Sequence, residues 1–252
     1  MSDLLGTHLE NGVAILTLDD PERRNAFTMD LVSAIVGAMD FYEREGDCGA
    51  VVITGAGPAF CAGADLGTLA GATSNSLLEI YEGFLRIARS PLPTIAAVNG
   101  PAVGAGMNLA LACDVRIAGE SARFDTRFLR LGIHPGGGHT WMLSRLAGPQ
   151  TTAAMVLFGE IVSGADAVAR GLAWQCVPDD ELLVTACNLA ARAATVPSEL
   201  LERTKATIEE VGRLATHEEA VENELVDQLW SVGEPAFMER LQALRAQITG
   251  KS

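Results

Sequence analysis

The chain has 252 residues, of which 48% are apolar, and its formal net charge is −14 because 32 acidic side chains outnumber 18 basic ones. This length and composition predict a globular protein with one large domain, or one domain with an appendage. The negative charge argues against a nucleic-acid partner and against an anionic membrane surface, since both repel an acidic protein. An anionic small molecule stays possible, because a local pair such as Arg23 and Arg24 could meet it.

The sequence gives no indication of a membrane span or a metal centre. The longest apolar stretch, about residues 92 to 113, contains Pro93, Gly100 and Pro101, which excludes a spanning helix. The first residues lack a secretion-signal pattern, and we expect a cytoplasmic protein. Five cysteines and four histidines are scattered without metal-ligand spacing, so we expect free thiols and no metal.

Strands and helices alternate in the first half of the chain. After the hairpin-like turn LENG, short apolar runs predict strands at 13–18, 50–54, 93–98 and 114–119. Apolar residues at helical spacing predict helices at 28–46, 75–90 and 104–113. This alternation predicts an α/β fold with right-handed crossovers.

The second half of the chain reads differently. From about residue 140 onward we expect no further strand. The helical spacing of apolar residues and the capping residues predict helices at 139–148, 149–159, 163–171, 181–196, 198–212, 217–233 and 234–248.

Two glycine-rich loops follow predicted strands, GAGPAFCAGADLGTLAG at 55–71 and NGPAVGAGMNLAL at 99–111. Ligands of open α/β sheets bind at the carboxyl ends of the strands. Glycine and alanine permit close backbone approach, and the first N–H groups of a helix have no internal acceptor. The two loops therefore predict free N–H groups that bind one oxygen, as in an oxyanion hole.

Other glycine motifs fit less well. GPAVGAG resembles a dinucleotide fingerprint, but Leu109 stands at the third glycine position and only about two helical turns follow before Asp114. The terminal GKS lacks the earlier glycine of a P-loop, and no GxSxG motif is present.

Four ordered segments resemble the signature stretches of the crotonase (enoyl-CoA hydratase/isomerase) superfamily: DDPERRNAF, FCAGADL, GPAVGAGMNLALACD and ARFDTRFLRLGIHPGGGHT. The match is collinear over essentially the whole chain. It implies a crotonase-like α/β fold of repeated ββα units over residues 1–195. It also implies a helical C-terminal trimerisation region over 196–252, with trimers commonly paired into hexamers. The implied ligand is an acyl-CoA thioester, with no separate cofactor because coenzyme A is part of the substrate.

The resemblance also implies site residues. The two oxyanion-hole N–H groups of the family fall on Ala64 and Ala105. The implied CoA and substrate contacts are Arg24, Asn25, Ala26, Ala62, Asp65, Leu66, Gly104 and Phe128, and Asp65 is equally typical of a helix cap. On the last helix, Phe237 and Arg240 would reach a neighbouring subunit's CoA site, although packing in an interface explains Phe237 as well.

The acid positions of the family are not acidic here. Hydratases of the family use two glutamates, at positions that here hold Asn108 and Phe128. Isomerases use an acid at the second position or an aspartate eight residues beyond it, which here is Gly136. An amide cannot accept a proton at neutral pH, so the sequence disfavours hydration by two glutamates.

Substitute groups must come from nearby. His134 and His139 flank PGGG, and a histidine is readily tuned as a general base; a role in a loop or a helix cap is the alternative. Asn108 could bond a carbonyl or a water in the pocket, or only satisfy its own helix. Further carboxylates are Asp125, which could instead pair with Arg123 or Arg127, and Glu79 and Glu82, which could instead face solvent.

Two classes of function stay open. The first is a lyase or isomerase of enoyl-CoA hydratase/isomerase type, acting in fatty acid metabolism with a nonstandard proton-transfer group. The second is a non-catalytic acyl-CoA binding protein that lost the acids. A third possibility is thioester hydrolysis with Asp125 or His139 as the base.

Overall fold

The computed structural model describes residues 3–248 and 250, without the side chain of Leu66. The chain divides into two compact units, the first ending at Thr195 and the second beginning at Val196. In the described part of the chain, no helix combines the length and the hydropathy that crossing a bilayer requires.

The first unit is an α/β structure with two sheets. Its strands are β1 (Leu5–Glu10), β2 (Val13–Leu18), β3 (Ala50–Gly55), β4 (Thr94–Val98), β5 (Pro101–Val103), β6 (Val115–Gly119), β7 (Arg123–Asp125), β8 (Val162–Ser163) and β9 (Gln175–Val177). Its helices are α1 (Met29–Glu45), α2 (Leu66–Leu69), α3 (Ser74–Ala88), α4 (Ala105–Ala112), α5 (His139–Phe158), α6 (Gly164–Ala169) and α7 (Leu182–Ala194).

The larger sheet has the order β1-β2-β3-β4-β6-β9, and the smaller one has the order β5-β7-β8. In the larger sheet β1 pairs antiparallel with β2, and every other neighbouring pair is parallel. This topology confirms the predicted α/β class. The expectation of no strand after residue 140 was wrong, because β8 pairs with β7 and β9 pairs with β6. Strands of two or three residues are too short to show a period in the sequence.

Strand β3 shows why a strand of this parallel sheet appears in the sequence as a continuous apolar run. All six of its residues are buried. Val51 and Ile53 pack in the cluster that includes side chains of α1, α3 and α4, whereas Ala50 and Val52 pack with side chains of α7. Both faces are thus covered, as is typical of parallel sheets.

Helix α5 is interrupted where the sequence predicted two helices to meet. Gly148 has φ 78° and ψ 168°, which are not helical, and Pro149 follows it. Proline has no N–H to donate, so the helix restarts there rather than continuing.

The second unit consists of α8 (Ser198–Val211), α9 (His217–Gly233) and α10 (Pro235–Ile248). Thr216 caps α9 in a capping box, since its hydroxyl accepts from the N–H of Glu219 at 3.2 Å and the Glu219 carboxylate accepts from the N–H of Thr216 at 3.2 Å. Arg203 connects α8 to α9 through a 2.8 Å bond to Asp227. These elements confirm the predicted helical C-terminal region, whereas its role in trimerisation stays a prediction.

Candidate active site

The two glycine-rich loops lie side by side. The N–H of Cys61 donates to the carbonyl of Pro101 at 3.2 Å, and the N–H of Val103 donates to the carbonyl of Cys61 at 2.9 Å. A Cβ on Gly63, where φ is +97°, would lie 2.6 Å from the Val103 oxygen, and a Cβ on Gly106 would lie 2.2 Å from the Cys61 oxygen. Only glycine permits this approach.

The N–H groups of Ala64 and Ala105 both point away from the internal pairing of these loops. The N–H of Phe27 donates to the Gly63 carbonyl at 2.8 Å, and the N–H of Asp65 donates to the Phe27 carbonyl at 3.0 Å. Because Ala64 lies between these two bonds, its own N–H points away from Phe27. Ala105 is the first residue of α4 and has no acceptor within the helix. Within the described residues, neither amide donates a hydrogen bond. These two amides belong to the predicted oxyanion donors, and whether they bind a ligand stays a prediction.

The implied CoA contacts fall on a left-handed turn beside the first loop. Arg24 and Asn25 have φ values of 54° and 59°, and Ala62 donates to the Arg24 carbonyl at 2.9 Å. Arg24 is exposed. The side chain of Asn25 is fully buried and donates to the carbonyl of Ala59 at 2.8 Å. Its amide therefore holds the turn in place. Ala26 is buried as well, and its N–H donates to the Arg23 carbonyl at 3.2 Å, so Arg24 is the exposed residue of these three.

Asp65 acts as a helix cap. Its carboxylate accepts from the N–H of Thr68 at 3.0 Å, which satisfies one free donor of α2. The backbone of Leu66 begins α2, and its side chain lies outside the described residues.

Cys61, inside the first loop, is not a nucleophile. Its thiol is fully buried and donates to the Asn25 carbonyl at 3.0 Å. Burial raises the pKa of Cys61 to about 12, so the thiol stays protonated at neutral pH.

Asn108 and His139 form a buried pair across α4 and α5. Asn108 Nδ2 donates to the Gly136 carbonyl at 3.0 Å, and Asn108 Oδ1 lies 2.6 Å from His139 Nδ1. Because Nδ2 is committed to a carbonyl, the atom that faces the imidazole is an acceptor, and Nδ1 must carry the proton. The hydrogen-bond network thus fixes the tautomer of His139, and Nε2 keeps a lone pair.

The Nε2 atom of His139 is left without a partner. The side chain is 1% exposed, and no group of the described residues bonds to Nε2. Burial lowers the pKa of His139 from 6.5 to about 4, so the imidazole is neutral at physiological pH. A buried and unpaired acceptor in a native protein calls for a ligand or a water.

Phe128 lies between the second loop and His139. Its ring meets the imidazole edge-on with the centroids 4.9 Å apart. Its Cζ is 4.0 Å from where a Cβ of Gly104 would be. Because Gly104 precedes Ala105, this ring connects the candidate oxyanion donor to the Asn108–His139 pair.

Other candidates lie elsewhere or are already paired. His134 is exposed, and its Nδ1 is 2.7 Å from the Pro135 carbonyl, which fits the predicted loop role rather than a place beside Asn108. Asp125 is 4% exposed and pairs with Arg127 through a 2.9 Å bond, so it is not a free base for hydrolysis.

The two remaining candidate carboxylates are also exposed or paired, and the two candidates on the last helix lie in the second unit. Glu79 is exposed, and Glu82 pairs with Arg89. Phe237 lies on α10 in the second unit and is 40% exposed. Arg240 is also on α10, and whether either residue reaches a neighbouring subunit stays a prediction.

Sequence reasoning missed Tyr81. A Cβ on Gly136 would lie 2.3 Å from the Tyr81 hydroxyl, so this phenol borders the segment that carries His139. The only signal in the sequence was a polar aromatic residue within the apolar pattern of α3, which gives no information about a contact with residue 136.

Comparisons with known proteins identify the family of this chain. The model of the enoyl-CoA hydratase/isomerase family matches residues 8–243. The probable enoyl-CoA hydratase EchA14 of Mycobacterium tuberculosis (strain H37Rv) is 46% identical over 244 residues, covering 93% of this chain and 94% of that protein. The 1,2-epoxyphenylacetyl-CoA isomerase of Escherichia coli K12 is 38% identical and covers 79% of each chain.

A solved structure is also similar over most of this chain. The protein of Thermobifida fusca YX described as an enoyl-CoA hydratase, solved in complex with CoA, superposes with a TM-score of 0.83 at 30% identity, covering 93% of this chain and 95% of that one. With the family match spanning nearly the whole chain, this protein belongs to the enoyl-CoA hydratase/isomerase family, within the crotonase superfamily.

Proposed function

We propose that this protein is an enzyme of enoyl-CoA hydratase/isomerase type, which stabilises the enolate of an acyl-CoA thioester with the N–H groups of Ala64 and Ala105. The observation that carries the proposal is that both N–H groups lack an acceptor within the described residues although their loops are tightly paired. Donors held in this way need no reorganisation when charge develops on the thioester oxygen, and each contributes about 3 kcal/mol by mutational precedent.

The acyl-CoA ligand is supported by the family match and by the T. fusca relative that was solved with CoA. In this chain the backbone of the turn at Arg24, Asn25 and Ala26 and that of 62–66 would hold the CoA part. The Phe128 ring would border the acyl group beside Gly104. No separate cofactor is required, because CoA arrives as part of the substrate.

His139 is the group that moves the proton in this proposal. In an isomerisation, the Nε2 lone pair takes a proton from a carbon of the acyl chain, the C–H electron pair passes into the enolate, and the proton returns to another carbon of that chain. In a hydration, Nε2 takes a proton from water while the water oxygen bonds to the β-carbon, the electron pair of the C=C bond passes into the enolate, and the proton goes to the α-carbon. Burial makes the imidazolium unfavourable by about 3 kcal/mol, from a pKa of about 4 against 6.5. The negative charge of a neighbouring enolate offsets that cost, so protonation of His139 is coupled to enolate formation.

Asn108 is a positioning residue in this scheme, since it fixes the tautomer of His139 and does not itself accept a proton. Positions 108, 128 and 136 hold Asn, Phe and Gly, so none of the three supplies a carboxylate. That absence at the family's acid positions favours one alternative, a protein that binds acyl-CoA without turnover.

Incubation with crotonyl-CoA and longer 2-enoyl-CoA thioesters tests the proposal, with loss of the conjugated thioester absorbance as the readout. We expect turnover in the wild type, its loss in His139→Ala, and its retention in His8→Ala, which changes an exposed histidine of β1. No turnover together with calorimetric binding of butyryl-CoA would instead establish the non-catalytic binding protein. Turnover that survives His139→Ala but not His134→Ala would move the base to the exposed loop.

We also propose assembly into trimers or paired trimers. The second unit exposes large apolar side chains, with Ile208, Val226 and Leu229 each more than 60% exposed. Exposed apolar surface of this extent is typical of protein contacts. Sedimentation velocity measures the state directly, and a monomer at micromolar concentration would contradict the proposal.

A further inference from the structure

A groove lies in the first unit between strand β1 and helix α1. Its volume is about 430 Å³, which falls within the range of roughly 300 to 1,000 Å³ that small-molecule sites have. Most of its lining is apolar and comes from Leu5 of β1 and from Ala34, Ala38 and Phe41 of α1. Phe41 is 48% exposed, so its ring offers apolar surface to an occupant. None of the residues that line this groove belongs to the candidate active site.

The lining includes a glycine that the helix itself does not require. Gly37 lies in the middle of α1, where glycine is less favourable than alanine. A Cβ built on Gly37 would meet no atom within 4 Å, so no close approach of another element explains the glycine. Its missing side chain has one structural effect, which is that the groove stays open at this point.

Tyr42 brings an unpaired hydroxyl to the same groove. The residue is 6% exposed, and its ring meets Phe41 edge-on with the centroids 5.2 Å apart. Its hydroxyl makes no hydrogen bond to any described residue, whereas a buried tyrosine usually has such a partner. In the described part of the chain, the only fully enclosed polar side-chain atom without a partner is His139 Nε2. The Tyr42 hydroxyl therefore reaches open space, and the groove is the cavity that this side chain lines.

Arg44 adds a positive charge that the protein does not neutralise. It also lines the groove and is exposed. Over residues 3–248, Arg44 forms no ion pair, and the nearby carboxylates of Asp40 and Glu43 both pair with Arg86 instead. The guanidinium can only donate hydrogen bonds, and the Tyr42 hydroxyl is free to donate one. A carboxylate matches this pair, because it accepts from both groups and carries the opposite charge to Arg44.

We propose that this groove is a second ligand site, which binds the anion of a medium-chain carboxylic acid such as octanoate. The hydrocarbon chain lies over Gly37 and against the Phe41 ring, where it covers apolar surface. The carboxylate accepts hydrogen bonds from Arg44 and Tyr42. Gly37 and Arg44 are seven residues apart, which is about 10 Å along the helix and suits an unbranched chain of this length. The site does not depend on the proposed acyl-CoA chemistry.

Calorimetric titration with sodium octanoate tests the site, with saturating butyryl-CoA present to occupy the proposed active site. We expect one octanoate per chain. Gly37→Leu fills the groove and should weaken binding at least about tenfold, because the hydrocarbon chain loses the surface that it covers. The matched control is Gly233→Leu, which adds the same side chain at another helical glycine whose Cβ would meet open space. It should bind octanoate like the wild type.

A second set of variants tests the charge. Arg44→Gln and Tyr42→Phe should each weaken octanoate binding about tenfold, because each loses a hydrogen bond to a charged group. The control Arg192→Gln changes the net charge as Arg44→Gln does, but at an exposed residue of α7 outside the groove, and should leave the affinity unchanged. The uncharged analogue 1-octanol should bind the wild type at least about tenfold more weakly than octanoate.

Three results would overturn the proposal. The first is no binding of octanoate to the wild type at millimolar concentration. The second is equal affinity in the wild type and in Gly37→Leu, which would place octanoate elsewhere. The third is a change of sedimentation coefficient in unliganded Gly37→Leu but not in Gly233→Leu, which would make the groove a contact between copies of this chain.

Thermal unfolding checks that each variant is folded. If Gly37→Leu does not fold, Arg44→Gln still decides the question, since an affinity equal to that of the wild type would overturn the site. Turnover of crotonyl-CoA is measured separately, so the proposed function and the second site can each fail without the other.

Discussion

The neutral, buried His139 predicts a specific dependence of stability on pH. Its pKa is about 4 in the folded protein because of burial, against an ordinary 6.5. Between these values the unfolded chain binds a proton that the folded protein does not, so stability falls as the pH is lowered below about 6.5 and this loss levels off below about 4. From these two pKa values, the contribution between about pH 7.5 and pH 5 is about 2 kcal/mol.

The assay is urea unfolding of the wild type and His139→Gln at both pH values and at one protein concentration. Other titrating groups act alike in both proteins, so the difference between the two pH-dependent changes isolates His139. We expect the wild type to lose about 2 kcal/mol more than the variant on acidification. His134→Gln is the control, because His134 is exposed and should follow the wild type. Equal losses in the wild type and in His139→Gln would refute a buried neutral imidazole, and with it the protonation scheme proposed above.

Three further predictions concern the loops and the buried pair. Gly106→Ala places a Cβ 2.2 Å from the Cys61 oxygen and should lower turnover of crotonyl-CoA at least about 100-fold, because it displaces an oxyanion donor. The control is Gly233→Ala, since a Cβ at Gly233 meets open space. Equal turnover rates in the two variants would contradict the tight pairing of the loops. Asn25→Ala removes a buried amide and should cost about 2 kcal/mol in urea unfolding, so a loss below about 0.5 kcal/mol would argue against its anchoring role. Asn108→Leu should lower kcat roughly 100-fold with little change in butyryl-CoA affinity, and an unchanged kcat would remove its positioning role.

Sequence patterns predicted the long elements of this fold well. The helix expected at 28–46 is α1, Met29–Glu45, and the strand expected at 50–54 is β3, Ala50–Gly55. Both carry a period or an apolar run long enough to be recognised. Strands β5, β7, β8 and β9 have two or three residues each, and their existence depends on partners distant in the chain. No local signal specifies such pairs.

The candidate site could likewise be predicted from the sequence only in part. The two glycine-rich loops, with free amides at a helix start, followed from local backbone chemistry. The assignment of those amides to Ala64 and Ala105 followed from the family resemblance, and the histidines near PGGG followed from their place in the sequence. The choice between His134 and His139 did not, because it depends on a contact between Asn108 and His139 that joins residues 31 apart. The same holds for Tyr81, whose hydroxyl meets a glycine 55 positions later through packing alone.

The protonated thiol beside the first loop has a practical consequence. Cys61 lies in the segment that presents Ala64, yet it has no exposed surface and its thiolate is strongly disfavoured. Alkylating reagents and peroxide act on accessible thiolates. Covalent inhibitors and labels directed at cysteine should therefore leave this loop untouched in the native protein, and a compound meant to block it must compete for the backbone amides instead.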